Sequence, residues 1–238
     1  MFRIKLISFL VNLNEYLIFY PRLKRFYKSN IKSSSPLIMD VGSNKGQTID
    51  FFLKHFPNSR IYGFEPNGEL YNFLCKKYKN NKNITITNCG ISDKKDKLIL
   101  KETATNETST FEELNYASDY LKMKSRVLGV KPENIVKKTY EVDVITLNEF
   151  LKKENITKID VVKIDTEGHE YKCLVGLFGS YKTDIDFIQL EQHNDDMYSN
   201  KVSEETIAAL LNKNSFHLTD RIRHGFGDFD ETIFKQKK

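Results

Sequence analysis

The stretch MDVGSNKGQ, Met39 to Gln47, carries one carboxylate and two glycines within seven residues and follows Pro36-Leu-Ile. Leu37 to Val41 is a short apolar run of strand type, and Gln47 to Phe56 places Ile49, Phe52, Leu53 and Phe56 at helical spacing. Gly42 and Gly46 permit backbone conformations and close approach denied to other residues, and the amides opening the helix offer donors and positive potential to an anion. A strand, a glycine turn and a helix in this order form the ligand-holding corner of an open parallel sheet.

The same alternation continues on both sides of the chain. Arg60 to Phe64 reads as a second strand, Glu69 to Tyr78 as a helix and Ile84 to Cys89 as a third strand. Later come a strand at Ile159 to Ile164, a helix at Glu170 to Phe178, a strand at Ile185 to Leu190 and a helix at Glu204 to Leu211. This spacing predicts an α/β fold with a parallel sheet and right-handed crossovers. Phe216 to Thr219 and Thr232 to Phe234 flank His224-Gly-Phe-Gly-Asp228 and predict a terminal β-hairpin. Lys97 to Lys101 reads as an added strand, and polar residues 102–138 as an insertion over the sheet's edge, of the kind that serves as a lid. Ser33-Ser-Ser-Pro36 reads as a joint, which divides the chain into a helical extension, 1–35, and one α/β domain, 36–238.

Composition narrows the class. The 238 residues fit one domain, and 17 Phe and 12 Tyr are available to fill its core, so the chain is expected to fold. A net charge of +5 is too mild and dispersed to predict a nucleic-acid partner, and the basic clusters at Arg22 to Lys28 and Lys235 to Lys238 read as solvated surface. Cys75, Cys89 and Cys173 show no CxxC or Cys/His spacing, which predicts reduced, buried thiols, a cytoplasmic setting and neither zinc nor a redox pair. Arg3 and Lys5 precede the apolar run Leu6 to Leu13, but no cleavage site follows and Asn12, Asn14 and Glu15 interrupt it, which argues against both a signal peptide and a membrane span. Leu6, Phe9, Leu10, Leu13, Leu17 and Tyr20 predict an amphipathic helix ending at Pro21, followed by a basic one. Packing on the domain's own core is the first expectation for it; peripheral contact with the inner membrane face is the second.

The glycine turn alone suits a dinucleotide or S-adenosylmethionine equally. Asp40 separates them: at the strand's end it would repel a pyrophosphate, whereas a methionine zwitterion brings it an ammonium and brings a carboxylate to the helix amides. Gly42-Ser-Asn-Lys-Gly46 also misses GxGxxG, which disfavours a nicotinamide cofactor and hydride transfer. Glu65, closing Tyr62-Gly-Phe-Glu-Pro66, stands where an acid can accept bonds from both ribose hydroxyls of an adenosyl group. Asn88 to Asp93 follows the third strand, where adenine would be held, with Ile91 available to the ring.

In these residues the sequence resembles the FkbM family of S-adenosylmethionine-dependent methyltransferases, within the Rossmann-like class I group. The resemblance rests on Asp40 to Gly46, Phe64-Glu-Pro66, Gly90-Ile-Ser-Asp93, Val144-Ile-Thr-Leu147 and, most specifically, Val162-Lys-Ile-Asp-Thr-Glu-Gly-His-Glu170. It implies a seven-stranded, mostly parallel sheet with an antiparallel terminal strand, and methyl transfer to an oxygen of a sugar or other small hydroxylated metabolite. By motif position it implies that Asp40, Gly42, Asn44, Gly46 and Glu65 hold the cofactor, with Ile91 and Ser92 near the adenine. It places Asp165 opposite the transferring methyl, with Glu167 and Glu170 as further site positions.

A sugar hydroxyl is a poor nucleophile at neutral pH, so a base or a metal is expected at the strands' carboxyl ends. The catalytic candidates there are Asp165, Glu191 and His193, with His193 the most natural base from its ordinary pKa. Asp165 with Glu191 also suits Mg²⁺, but no third ligand declares itself and no metal is predicted. Lys163 reads as structural, and His169 as an orienting or surface residue. A nucleic-acid 2′-O-methyltransferase and a non-catalytic cofactor-binding module remain rival readings.

Overall fold

The computed structural model describes residues 15–104, 108–223 and 229–237. A π-helical turn, Glu15–Phe19, runs directly into α1, Tyr20–Asn30. The break expected at Pro21 does not occur, because Pro21 lies in the first helical turn, where its missing N–H would have had no partner. Residues 6–13 of the expected amphipathic helix, and the hairpin tip 224–228, lie outside the described residues. α1 packs on the domain's own core through Leu23 and Tyr27, against Phe51, Phe52 and Phe187. Among the described residues no helix is long and apolar enough to cross a membrane.

After α1 come β1 (Leu37–Val41), α2 (Gln47–His55), β2 (Arg60–Phe64), α3 (Gly68–Tyr78), β3 (Ile84–Thr87), β4 (Gly90–Ile91), β5 (Asp96–Thr103) and β6 (Ser109–Thr110). The second half holds α4 (Asp119–Leu128), β7 (Val136–Ile145), α5 (Leu147–Lys153), β8 (Lys158–Ile164), α6 (Glu170–Leu177), β9 (Asp184–His193), α7 (Glu204–Lys213), β10 (Phe216–Arg223) and β11 (Phe229–Gln236). Seven strands form one sheet in the order β10-β11-β9-β8-β1-β2-β3, with β11 antiparallel to both neighbours and the other pairings parallel. That is the sheet the resemblance implies. Strand order reverses between β1 and β8, so the loop leaving β1 opens at the switch point where such sheets bind ligands.

Two cores cover the sheet. Met39 and Val41 face one, with Val162, Ile164 and Leu190; Ile38, two residues from Asp40, faces the other, with α1 and α2. Only Lys158 of β8 is exposed, because both faces of this central strand are covered and its side chains have nowhere to meet water.

The stretch expected to be an edge insertion is built differently. β5 and β7 form a long antiparallel ribbon, and with β4 and β6 they make a second sheet in the order β4-β7-β5-β6. The third strand stops at Thr87 rather than Cys89, since Gly90 and Ile91 leave the large sheet to pair with Val144 and Ile145. α4 covers a small core of Leu114, Leu121, Ile135, Met197 and Tyr198. β9 also runs past Leu190, so Glu191 and His193 end a strand instead of starting a loop.

Candidate active site

The turn after β1 is fixed by backbone contacts. The N–H groups of Gly42 and Ser43 both donate to the Phe64 carbonyl (3.0 Å each), and that of Gly46 to the Ser43 carbonyl (2.7 Å). Gly42 has φ +85°, and a Cβ there would collide with the Asp165 carbonyl oxygen. Only glycine lets the loop pass beneath the end of β8. Gly46, at φ +83°, starts α2, and a Cβ there would strike the Tyr78 hydroxyl, which itself donates to the Gly46 carbonyl (3.0 Å). The turn's own amides are thus largely committed inside the protein. Those left for an anion belong to the first turn of α2, which has no helical acceptors.

Glu65 ends β2 with 4% of its surface exposed. Its Oε2 accepts from the Asn44 N–H (2.7 Å) and its Oε1 from the Asn67 N–H (2.9 Å). A carboxylate has about four acceptor sites, so two remain for a ligand. Burial pushes its pKa up to about 7, against those two amides and with help from the charges of Asp40 and Asp165.

Gly42, Asn44, Glu65, Ile91, Asp165 and Glu191 line one cavity of about 120 Å³. Phe111, from the segment after β6, forms its opposite wall. A Cβ on Gly90 would lie 2.7 Å from the Phe111 ring, so the ring packs directly over a residue without a side chain. Phe111 lies within the segment read from the sequence only as a polar insertion, and the antiparallel ribbon that carries it to the site leaves no local signal.

Three expected cofactor residues do not line this cavity. The Asp40 side chain is fully buried beside Ser43, Thr48 and Lys163. The Ser43 hydroxyl donates to the Asp40 main-chain carbonyl (3.0 Å), and neither carboxylate oxygen has a protein hydrogen-bond partner. Burial pushes Asp40 up to about 6, with Ser43, Lys163 and Thr48 pulling the other way by proximity. The β pleat explains its direction: alternate residues leave opposite faces of a strand, and Asp40 leaves with Ile38. Gly46 shapes the turn from outside the cavity. Ser92 is buried, its Oγ 2.9 Å from His169 Nε2 and 3.0 Å from Asp93 Oδ1.

His169 is not a surface residue. At 1% exposure it bridges Ser92 to Glu112 through Nδ1, 2.6 Å from Oε1, and so ties the segment carrying Phe111 to the loop after β8. That loop, with Glu167 at φ +53° and Gly168 at φ +97°, is held from several sides. Glu170 Oε1 accepts from the Thr166 N–H (2.9 Å), the Gly168 N–H (3.1 Å) and the Thr166 hydroxyl (3.1 Å). Thr110 Oγ1 donates to the Glu167 carbonyl (2.7 Å) and the Tyr198 hydroxyl to the Glu167 carboxylate (2.8 Å). Glu170 therefore anchors the loop through backbone donors.

The three catalytic candidates meet at the ends of β8 and β9. Asp165 keeps 34% of its side chain exposed, and its Oδ2 lies 3.7 Å from the Lys163 ammonium. Burial at the cleft floor, with the charges of Glu167, Glu231 and Glu170, pushes it up to about 7 against the pull of Lys163. Glu191 is held well above the carboxylate range by burial and by Asp165. His193 Nε2 lies 3.4 Å from Glu191 and 3.6 Å from Glu167, and Nδ1 lies 3.4 Å from Asp195. Burial pulls its pKa down, but Asp195, Glu167, Glu191 and Glu170 together outweigh it and hold His193 up to about 10. At neutral pH this imidazole already carries the proton that a base must be free to accept. Among the described residues no three His, Cys, Asp or Glu side chains converge as metal ligands.

Two further cavities meet the first. One, about 190 Å³, shares Gly42, Asn44, Asp165 and Glu191 with it and extends under α1 past Gln47 and Thr48. The other, about 390 Å³, shares Glu191 and runs past His193, Tyr171 and Tyr198 to the start of α7.

The family model for the methyltransferase FkbM domain matches residues 40–218. Among solved structures, methyltransferase FkbM from Methylobacillus flagellatus KT aligns with a TM-score of 0.55 at 13% identity, covering 88% of this chain and 46% of that one. This chain thus spans about half the length of that protein. Magnesium protoporphyrin IX methyltransferase from Synechocystis PCC 6803, solved with bound S-adenosylmethionine, gives 0.52 at 10% identity, covering 92% of this chain and 78% of that one. At these identities the likeness is one of fold. No curated protein matches in sequence.

Proposed function

Because the chain belongs to the FkbM family of methyltransferases, we propose that it transfers the methyl group of S-adenosylmethionine to a hydroxyl oxygen of a sugar, glycan or other small metabolite. The cavity residues fit that donor. Glu65 has acceptor capacity left for two ribose hydroxyls, Ile91 and Phe111 offer a slot for a flat ring, and the first turn of α2 offers amides to a carboxylate. A molecule with a nucleoside at one end and an amino acid at the other would lie across the two cavities that share Gly42 and Asn44.

Bound there, S-adenosylmethionine supplies a methyl whose C–S bond breaks, its electron pair staying on sulfur, as the C–O bond forms. The observation that carries the reading is Asp165 itself: it stands where the cavities meet, partly open, with its pKa near neutrality, as a general base requires. Asp165 takes the hydroxyl proton. His193 holds Glu191 and Glu167 in place as a cation, a role different from the one its ordinary pKa predicts. The cavity beyond Glu191, walled by Tyr171 and Tyr198, receives the acceptor. Glu191 lines both this cavity and the donor cavity, so the acceptor would reach the methyl past it.

The exposed Leu17 and Ile18 beside Arg22, Lys24 and Arg25 support peripheral contact of α1 with a membrane face. The test of function is a thermal-shift comparison of S-adenosylmethionine with NAD, followed by mass spectrometry of glycan, sugar and RNA pools incubated with labelled donor. Stabilisation by NAD alone, or label in RNA but not in sugars, overturns the proposal. Donor binding without transfer would identify a non-catalytic module.

A further inference from the structure

Lys163 and Gln189 face each other across β8 and β9, and Glu231 of β11 sits opposite Glu191 of β9. All four, with Asp40 opposite Lys163 on β1, carry polar groups into a part of the sheet where their neighbours Ile38, Val161, Phe187 and Ile233 are apolar. Their bonds form a continuous chain. The Tyr27 hydroxyl of α1 donates to Gln189 Oε1 (2.6 Å), Gln189 Nε2 donates to Glu231 Oε2 (2.9 Å), and the Lys163 ammonium donates to Glu231 Oε1 (2.7 Å). Tyr27, Gln189, Glu231 and Lys163 are all buried. The Lys163 ammonium lies a full ångström farther from Asp165, at 3.7 Å, than from Glu231.

We propose that Glu231 is a positioning residue: held by Gln189 and Tyr27, it draws the Lys163 ammonium away from Asp165 and leaves the Asp165 carboxylate free to accept a proton. The inference rests on the reading that Asp165 is the base. A buried lysine without Glu231 would turn to the nearest remaining carboxylate, and an aspartate in a full ion pair is a poor base. Asp165 is faced by Lys163 from its own strand, by Glu167 and Glu170 from the loop and helix that follow, by Glu191 from β9, by Glu231 from β11 and by Glu65 from β2. Of these, Lys163 is the cation, so its position decides the balance. Nothing in the sequence marks Glu231, which lies in the terminal strand far from the signature segment.

The experiment is ¹³C NMR of the full chain labelled at aspartate carboxyls, with the Asp165 signal assigned through Asp165→Asn and titrated against pH. In Glu231→Gln the Asp165 midpoint is expected to fall by a unit or more, a tenfold or greater loss of proton affinity, because a negative charge is removed and the ammonium is released towards Asp165. Glu231→Asp is expected to restore most of the parent value. An unchanged or raised midpoint in a folded Glu231→Gln protein overturns the proposal. Should that variant fail to fold, the parent still decides: an Asp165 midpoint at or below about 4, the range of an unperturbed or ion-paired aspartate, refutes it. No donor or acceptor is needed, so the outcome is separable from that of the transferase assay.

Discussion

Asp40→Asn tests the burial of an unpartnered carboxylate beneath the glycine turn. Moving the midpoint of Asp40 from an ordinary 3.8 to about 6 corresponds to about 3 kcal/mol. The folded state therefore holds this proton more tightly than the unfolded chain, and stability falls as pH rises from about 4 to about 6. Above that window the buried anion costs the full amount. Asparagine cannot ionise, so the variant is expected to gain on the parent by about 2.5 kcal/mol between pH 4 and pH 8, the remainder of the full amount having been lost by pH 4, whatever its offset there. For a chain of this size that corresponds to roughly 5–10 °C in relative Tm. Urea unfolding of both proteins at the two pH values measures the difference directly, and parallel pH profiles for parent and variant would refute the reasoning. If Asp40 instead held a cofactor's ammonium, the variant would lose donor affinity by isothermal titration, an outcome the buried geometry does not predict.

Three further expectations follow from the site. Gly42→Ala combines a left-handed φ with a collision against the Asp165 backbone, whereas Gly129→Ala, at φ +70° with open space around it, carries only the conformational cost of about 1–2 kcal/mol. Chemical denaturation is therefore expected to show a clearly larger loss for Gly42→Ala, with weakened S-adenosylhomocysteine binding in that variant alone; equal losses would contradict the close approach. Glu65→Ala leaves the Asn44 and Asn67 amides without their acceptor and is expected to weaken S-adenosylhomocysteine at least tenfold by calorimetry. Glu170→Leu removes the acceptor for two loop amides and a hydroxyl, with an expected stability loss of about 1–3 kcal/mol, which a chemical-denaturation curve reads.

The large sheet was legible because each of its strands is covered on both faces or ends at a turn residue, so Leu37 to Val41 and Ile159 to Ile164 announce themselves as apolar runs. β7 was not assigned, although Tyr140-Glu-Val-Asp-Val144 alternates apolar and polar residues, because Lys137 and Lys138 before it read as part of the polar insertion and its partner β5 lies far away in the sequence. The positions of Gly42, Glu65 and Ile91 followed from where strands were expected to end, and that of Asn44 from the family resemblance. Asp40 needed one more step: counting the pleat back from Ile38 turns its side chain away from the cavity. His193 was read from its ordinary pKa; of the carboxylates that raise it, Asp195 and Glu191 stand two residues away in the sequence, while Glu167 and Glu170 come from the loop and helix after β8 and reach it only through folding.

Thr110, Glu112 and Tyr198 reach the loop after β8 from outside the large sheet, and Phe111 closes the slot between them. Much of the surface between β6 and β7 makes no such contact. What that segment does hold is Tyr198: Leu114, Leu121 and Ile135 pack with it in the small core, so the side chains that clamp the transfer loop are themselves backed from outside the sheet. Altering which acceptor is chosen while preserving how the methyl donor is held is thus a task for the far end of the acceptor cavity, Lys201 to Glu205, and not for residues 113–135, whose Leu114, Leu121 and Ile135 pack under the clamp.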